Sequence, residues 1–484
     1  MRPLLFSLAL LLAACSETAE RPPPSDRFIF PSGIVYRSVP GSTNGILYVA
    51  SANYDRCYDQ GTLMAVDLDR MGPGIYSDGK TDAGSLQPIG SYTNTDLGLL
   101  PAKFEQLNLA SQSTLFIQSY AGEMALKEGA TPRLFVPARA DGDFVHYIDI
   151  DGSDPTRLSC VGTSSKNCAE NALSLTHNLS GQTADLPRAP APFGVSVDPS
   201  GSSVWVTHLN LADSPAGSGN SATARESYVV GLPSDTPSVS AGDFYPLSIT
   251  NLPLAGGNSV IADDRYVFVS GRGPANSTQA RRFLLRALRK PVPETDTPAQ
   301  VLDPGLDLGF AADEARGMAL TAKVAASDSS PRRLYMAVRT PDSLVTVNVA
   351  GLESDSPSLT VVGAIPLPNG PTEVALVPRG SARSELVLVS CSAAGVVAIY
   401  DPDVGQVVAQ VSVGQISGTT SPQPFGLAVQ QQGNAARVFV SNFGDGRVSV
   451  IDISDLNSPQ LARLVAHLGA RQDQASSTCQ EVQQ

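Results

Sequence analysis

Three short segments of this 484-residue chain end alike: RLFVPAR closes on Arg139, YVFVSGR on Arg272 and RLYMAVR on Arg339. A fourth arginine, Arg316, stands in EARGMAL at the entry to another apolar run. A guanidinium presents a planar fork of donors that matches a carboxylate or phosphate. The four together therefore predict an anion site, provided that the fold gathers them. The plainer alternative is that each pairs with a nearby carboxylate, Asp313, Glu314 or Asp342, and fixes loops in an acidic protein.

Other constellations lead less far. DIDGSD, Asp149 to Asp154, alternates carboxylates around a glycine, but the bidentate glutamate that would complete a calcium loop is missing, so a solvated strand end is expected. Trp205 and His208 share one strand; Trp205 reads as core packing, and His208 has no evident Asp or Ser partner in sequence. The four histidines, His146, His177, His208 and His467, fall into no HExxH or CxxCH spacing. GxSxG, phosphate-loop and dinucleotide fingerprints are missing too. No catalytic residue, metal or cofactor is expected.

The elements that must position the arginines are spelled most cleanly in RVFVSNFGDGRVSVIDI, Arg437 to Ile453, where apolar residues alternate on both sides of a Gly-Asp-Gly turn. The same hairpin pattern recurs from Gly45, Arg133, Arg333 and Glu385, and in weaker form from Ser203 and Tyr266. Upstream of most copies lies a small-residue turn with a short apolar strand, as in FPSGIV, APFGVSV, ARGMALT, GPTEVALVP and QPFGLAVQ; downstream of several lies another strand, as in LTVVGAIPLP and VVAQVSVG. Four strands per unit and seven units predict an all-β, seven-bladed β-propeller of four-stranded antiparallel blades over residues 27–470, because one such sheet buries both faces only between neighbours. With 42 Gly, 37 Pro and 16% charged residues, the composition agrees.

The last unit resembles the repeat of the YVTN family of β-propellers. Phe439, Val440, Ser441 and Asn442 stand for its tyrosine-valine-threonine-asparagine, and Val448 to Asp452 for its second strand; Tyr48 to Ser51 and Leu388 to Cys391 match more loosely. The resemblance implies fold more than activity, since that family includes surface-layer proteins and lactonase-like enzymes. In a propeller the turn between second and third strands opens on the same face as the crossover to the next blade, which would gather the arginines at the channel mouth. The insertion Asn210 to Ser227 would project from one such turn.

The first residues, MRPLLFSLALLLAACS, resemble a bacterial lipoprotein signal: Arg2, an apolar run from Leu4 to Leu12, then Leu12-Ala13-Ala14-Cys15. That resemblance implies a signal peptide over 1–14, lipidation (palmitate) of Cys15, a Pro-rich tether over 15–26, and a tail at 471–484. Membrane attachment through Cys15 would place the protein in the cell envelope, at the outer membrane of a Gram-negative bacterium. In an oxidising compartment Cys160 and Cys168 are the easiest disulfide; Cys57 with Cys479 is a second candidate, with Cys391 as rival partner. A formal charge of -13 argues against nucleic acid. The sequence thus points to a lipid-anchored binding or assembly module, its partner a protein or an anionic small molecule, with a lactonase-like or oxidoreductase-like propeller enzyme as the alternative.

Overall fold

The computed structural model describes residues 21–25, 27–70, 86–91, 113–140, 142–175, 191–209, 228–247, 256–272, 284–292, 300–301, 312–323, 331–354, 357–380, 383–414, 421–469 and 471. Six antiparallel sheets of four strands and one of five follow one another along the chain, every strand but one paired with its sequence neighbour. The fifth strand belongs to the second sheet, where Leu173–Ser174 pairs with Phe144–Ile150. Seven blades in a ring, a seven-bladed β-propeller, is the architecture that the repeats predict.

The innermost strands are Pro31–Arg37, Ala125–Lys127, Pro192–Val197, Gly257–Ala262, Glu314–Leu320, Pro371–Val377 and Pro424–Gln432. The second strands sit between two neighbouring blades and have no exposed face. Ile46–Ser51, Arg133–Ala138, Tyr266–Gly271 and Leu386–Cys391 are buried at every residue, which is why their sequences read as continuous apolar runs. By contrast the outermost strand of blade 5, Ser358–Pro366, is exposed along most of its length.

Blades adhere through cores shared across their faces. Blades 7 and 1 pack Phe439, Val448 and Val450 against Leu47, Val49 and Met64; each such fully buried side chain contributes about 1.5–3 kcal/mol. Blade 7 takes all four strands from the end of the described chain and blade 1 takes all four from its beginning. The ring therefore closes by side-chain packing and hydrogen bonds, without an exchanged strand.

One polar device recurs at the inner edge. In four blades a hydroxyl near the end of the second strand accepts an inner-strand N–H of its own blade and donates to an inner-strand carbonyl of the next. Thr207 accepts from Gly194 and donates to Asn258 O, Ser390 accepts from Glu373 and donates to Phe425 O, and Ser441 accepts from Gly426 and donates to Ser32 O. Ser270 does the same between Ser259 and Arg316. These residues occupy the third place of WVTH, LVSC, FVSN and FVSG. A hydroxyl, donor and acceptor at once, is what that junction requires.

Candidate functional site

Every inner strand is interrupted at one place. Between Pro31 and Ile34 the pairing with the second strand advances three residues against two, and the same shift recurs at Pro192/Val195, Gly257/Val260, Ala315/Met318, Pro371/Val374 and Pro424/Leu427. In blade 2 the bridge Ala121 to Ala138 precedes the pair Ala125 to Phe135, with the same extra residue between them. Seven equivalent β-bulges thus ring the channel, and a bulge re-aims the side chains it carries.

The two bulge residues are Ser32-Gly33, Gly122-Glu123, Phe193-Gly194, Asn258-Ser259, Arg316-Gly317, Thr372-Glu373 and Phe425-Gly426. Glycine at the second place allows adjacent inner strands to touch: a Cβ on Gly317 would lie 2.6 Å from the Cα of Glu373 and 2.7 Å from its Oε1. Blade 4 carries Ser259 there instead, and blades 2 and 6 carry the ionisable Glu123 and Glu373. These two glutamates stand apart. They line a cavity of about 200 Å³ whose other walls include Ser32, Ser259 and the apolar Ile34, Met124, Val195, Val260, Met318 and Leu427.

Within that chamber the two carboxyls, from blades 2 and 6, lie in hydrogen-bonding reach of each other. Glu373 Oε1 also accepts from the Val374 N–H, and Glu123 from the Val195 N–H and the Ser259 hydroxyl. Burial pushes both carboxyls up; Glu373 reaches about 7, and for Glu123 the facing Glu373 adds to the rise. Two carboxylates so close cannot both ionise without a counter-charge, so the pair holds a shared proton near neutrality. The chamber opening leaves both residues some solvent-accessible surface, although protein surrounds the carboxyl groups.

The arginines lie on the mouth side of the bulges. Arg139, Arg272 and Arg339 each immediately follow the residue that pairs or bridges ahead of their blade's bulge, and Arg316 comes from the bulge of blade 5. Three of the four converge on one carboxylate. Arg272 Nε lies 2.6 Å from Glu314 Oε1, Arg316 Nε 3.0 Å and Arg339 Nη1 3.7 Å from Oε2. Burial would raise the Glu314 pKa, but the guanidiniums outweigh it and hold the group below the usual range. Burial, with Arg339 and Arg272 beside it, brings Arg316 down to about 10 against the pull of Glu314.

The pairing reading is thus realised with Glu314 for three of the arginines. Arg339 also donates to Pro371 O and Thr372 Oγ1. Asp342 and Asp143 instead accept the backbone N–H groups of Gly370 and Ala191. Arg139 makes no hydrogen bond or ion pair with another described residue; its guanidinium lies over the rings of Tyr120 and Phe193, 5.6 and 5.5 Å from their centroids. Burial lowers its pKa.

Among the other residues singled out from sequence, Cys160 and Cys168 form a disulfide. Cys57 is disulfide-bonded, while Cys391 is a buried free thiol and so is not the partner of Cys479. Cys15 and Cys479, the segment 1–14, most of the tether and tail, and the insertion 210–227 lie outside the described residues. Asp151 in DIDGSD accepts from Ser153 and Asp154 in a tight turn. Trp205 packs with Val229, Leu247 and Val267 in a core cluster, and His208 is fully buried. Among the described residues no group of three or more metal-ligating side chains converges.

Sequence reasoning missed the carboxyl pair. Its signal was present: in PSG, PFG, ARG and PFG the third letter is glycine, whereas AGE and PTE place a glutamate there. It was silent because the inner strand of blade 2 is too short to register as a repeat element.

No family model matches the chain, and no curated protein matches it. Solved structures that it resembles include a putative 6-phosphogluconolactonase from Bacteroides uniformis (12% identity, 78% of this chain and 83% of that one, TM-score 0.41). Others are the N-terminal domain of Nup159 (11%, 88% and 89%, 0.42) and apo AztD from Citrobacter koseri (9%, 91% and 86%, 0.39). Likeness at this level concerns the fold alone.

Proposed function

We propose that this chain is a lipid-anchored, YVTN-type propeller of the cell envelope that binds a small organic anion at its channel mouth. The observation that carries the reading is the meeting of Arg272, Arg316 and Arg339 on the single carboxylate of Glu314, with Arg139 in the equivalent place of blade 2. One carboxylate cannot neutralise three guanidiniums, and an incoming anion would complete the set in a protein whose overall charge is -13. Attachment through Cys15 rests on the lipobox-like LAAC. The test is a thermal-shift and calorimetric screen of carboxylates and phosphates against the full chain and a variant with Arg139, Arg272 and Arg339 changed to Ala. A ligand at a hundred times its Kd stabilises by about 2.7 kcal/mol, and the variant is expected to lose that response. Identical responses in the two proteins would remove the anion site.

A propeller enzyme, lactonase-like or oxidoreductase-like, is the second reading, and what favours it is the proton-sharing Glu123–Glu373 pair beneath the arginines. Carboxyl pairs with raised pKa values are suited to acid–base work. Glu123→Gln and Glu373→Gln would then abolish turnover of a lactone or ester while sparing anion binding at the mouth; hydrolysis that survives both substitutions would exclude the pair.

A further inference from the structure

The mouth is chemically divided. Phe193 and Phe425, from the bulges of blades 3 and 7, meet edge to face with centroids 5.9 Å apart and planes at 86°. The chord they form has blades 1 and 2 on one side and blades 4, 5 and 6 on the other. On the first side the contacts run in a closed circuit. Tyr54 meets Tyr120 at 5.3 Å, Arg139 lies over both Tyr120 and Phe193, Phe425 meets Phe443 at 6.2 Å, and Phe443 returns to Tyr54 at 5.5 Å. On the second side stand Arg272, Arg316 and Arg339 around Glu314. Tyr54 is 51% exposed, so the aromatic half opens to solvent as the guanidinium half does.

We propose that the mouth selects planar aromatic carboxylates, with the carboxylate on the guanidinium half and the ring against Tyr54, Phe425 and Phe443. This rests on the anion reading of the same site and goes beyond it by naming the ligand's body. An aliphatic acid satisfies the arginines but leaves the rings exposed to water. A saturated ring covers them without the edge and face complementarity that aromatic pairs add to area burial. Arg139, already lying over two rings, offers a guanidinium at the border of the two halves, where a ligand ring and its charged group would join.

The test is titration calorimetry of the full chain with benzoate, cyclohexanecarboxylate and benzamide, repeated with Tyr54→Ala and Phe425→Leu. Tyr54 is half-exposed and Leu retains apolar bulk at 425, so both variants should fold; circular dichroism and a melting curve check this. Benzoate is expected to bind about tenfold tighter than cyclohexanecarboxylate, benzamide to bind weakest, and each variant to bring benzoate down to the cyclohexanecarboxylate level. Equal affinities for the two acids would overturn the aromatic selection and leave the anion site standing. Benzamide binding as well as benzoate would overturn the use of the guanidiniums by the aromatic ligand, and failure of both acids to bind would overturn the aromatic selection, the anion site being decided by the wider screen of carboxylates and phosphates.

Discussion

Replacing Glu373 by Gln should change how stability depends on pH. In the folded protein burial raises the Glu373 carboxyl from 4.5 to about 7, while Glu123 opposite it is raised as well. A carboxyl raised on folding holds its proton more tightly in the native state than in the unfolded one, so its contribution is fully present below about pH 4.5 and is lost as pH rises through about 7. At 1.36 kcal/mol per pKa unit, that rise is worth roughly 3 kcal/mol of stability between acid and weakly alkaline solution. Gln keeps the acceptor for the Val374 N–H and can donate to Glu123, but it does not titrate. Urea unfolding at pH 4.5, 6, 7 and 8 should therefore show wild type losing stability with pH relative to Glu373→Gln, the variant being the more stable above pH 7. Parallel profiles for the two proteins would show that the carboxyls do not share a buried proton, and the chamber would have to be wetter than its geometry indicates.

Four further outcomes follow from the packing and the cysteines. Ser441→Ala removes the hydroxyl that accepts from Gly426 and donates to Ser32 O across the closing junction, leaving buried partners unpaired at about 1–3 kcal/mol; a drop in urea midpoint no larger than that of an exposed Ser→Ala control would deny the junction its role. Gly317→Ala forces a Cβ against the Glu373 backbone at 2.6 Å, so it should destabilise the fold and disturb the titration of the pair, whereas an unchanged melting curve would mean that the inner strands separate easily. Cys391, whose thiol burial pushes up to about 12, should resist thiol reagents until the protein unfolds. Acylation of Cys15 would leave Cys479 as the partner of Cys57, so non-reducing peptide mapping of the lipidated protein should recover that pair, and a reactive Cys391 or a different linkage would break the assignment.

The repeat pattern already contained most of the architecture. The alternation in FVSNFGDGRVSVIDI and its siblings forces two-faced strands, and seven copies without a face to spare force a closed ring. The equivalence of Arg139, Arg272 and Arg339 was legible for the same reason, because position within a repeat is position within a blade. The Cys160–Cys168 loop was legible from its short spacing. What the sequence could not carry was anything that depends on blades facing each other across the channel. Glu123 and Glu373 are 250 residues apart, and neither has a charged neighbour in sequence that marks it out. Only the bulges and the closure of the ring turn them toward one another, where burial and mutual repulsion alter their chemistry. Glu314 was one of three candidate partners for the arginines in sequence, and only the packing of blade 4 against blade 5 singles it out as the carboxylate that three of them share. Local pattern determined the strands and their count, since periodicity is a property of the chain; the tertiary structure decided the site, since proximity across a channel is a property of the closed ring.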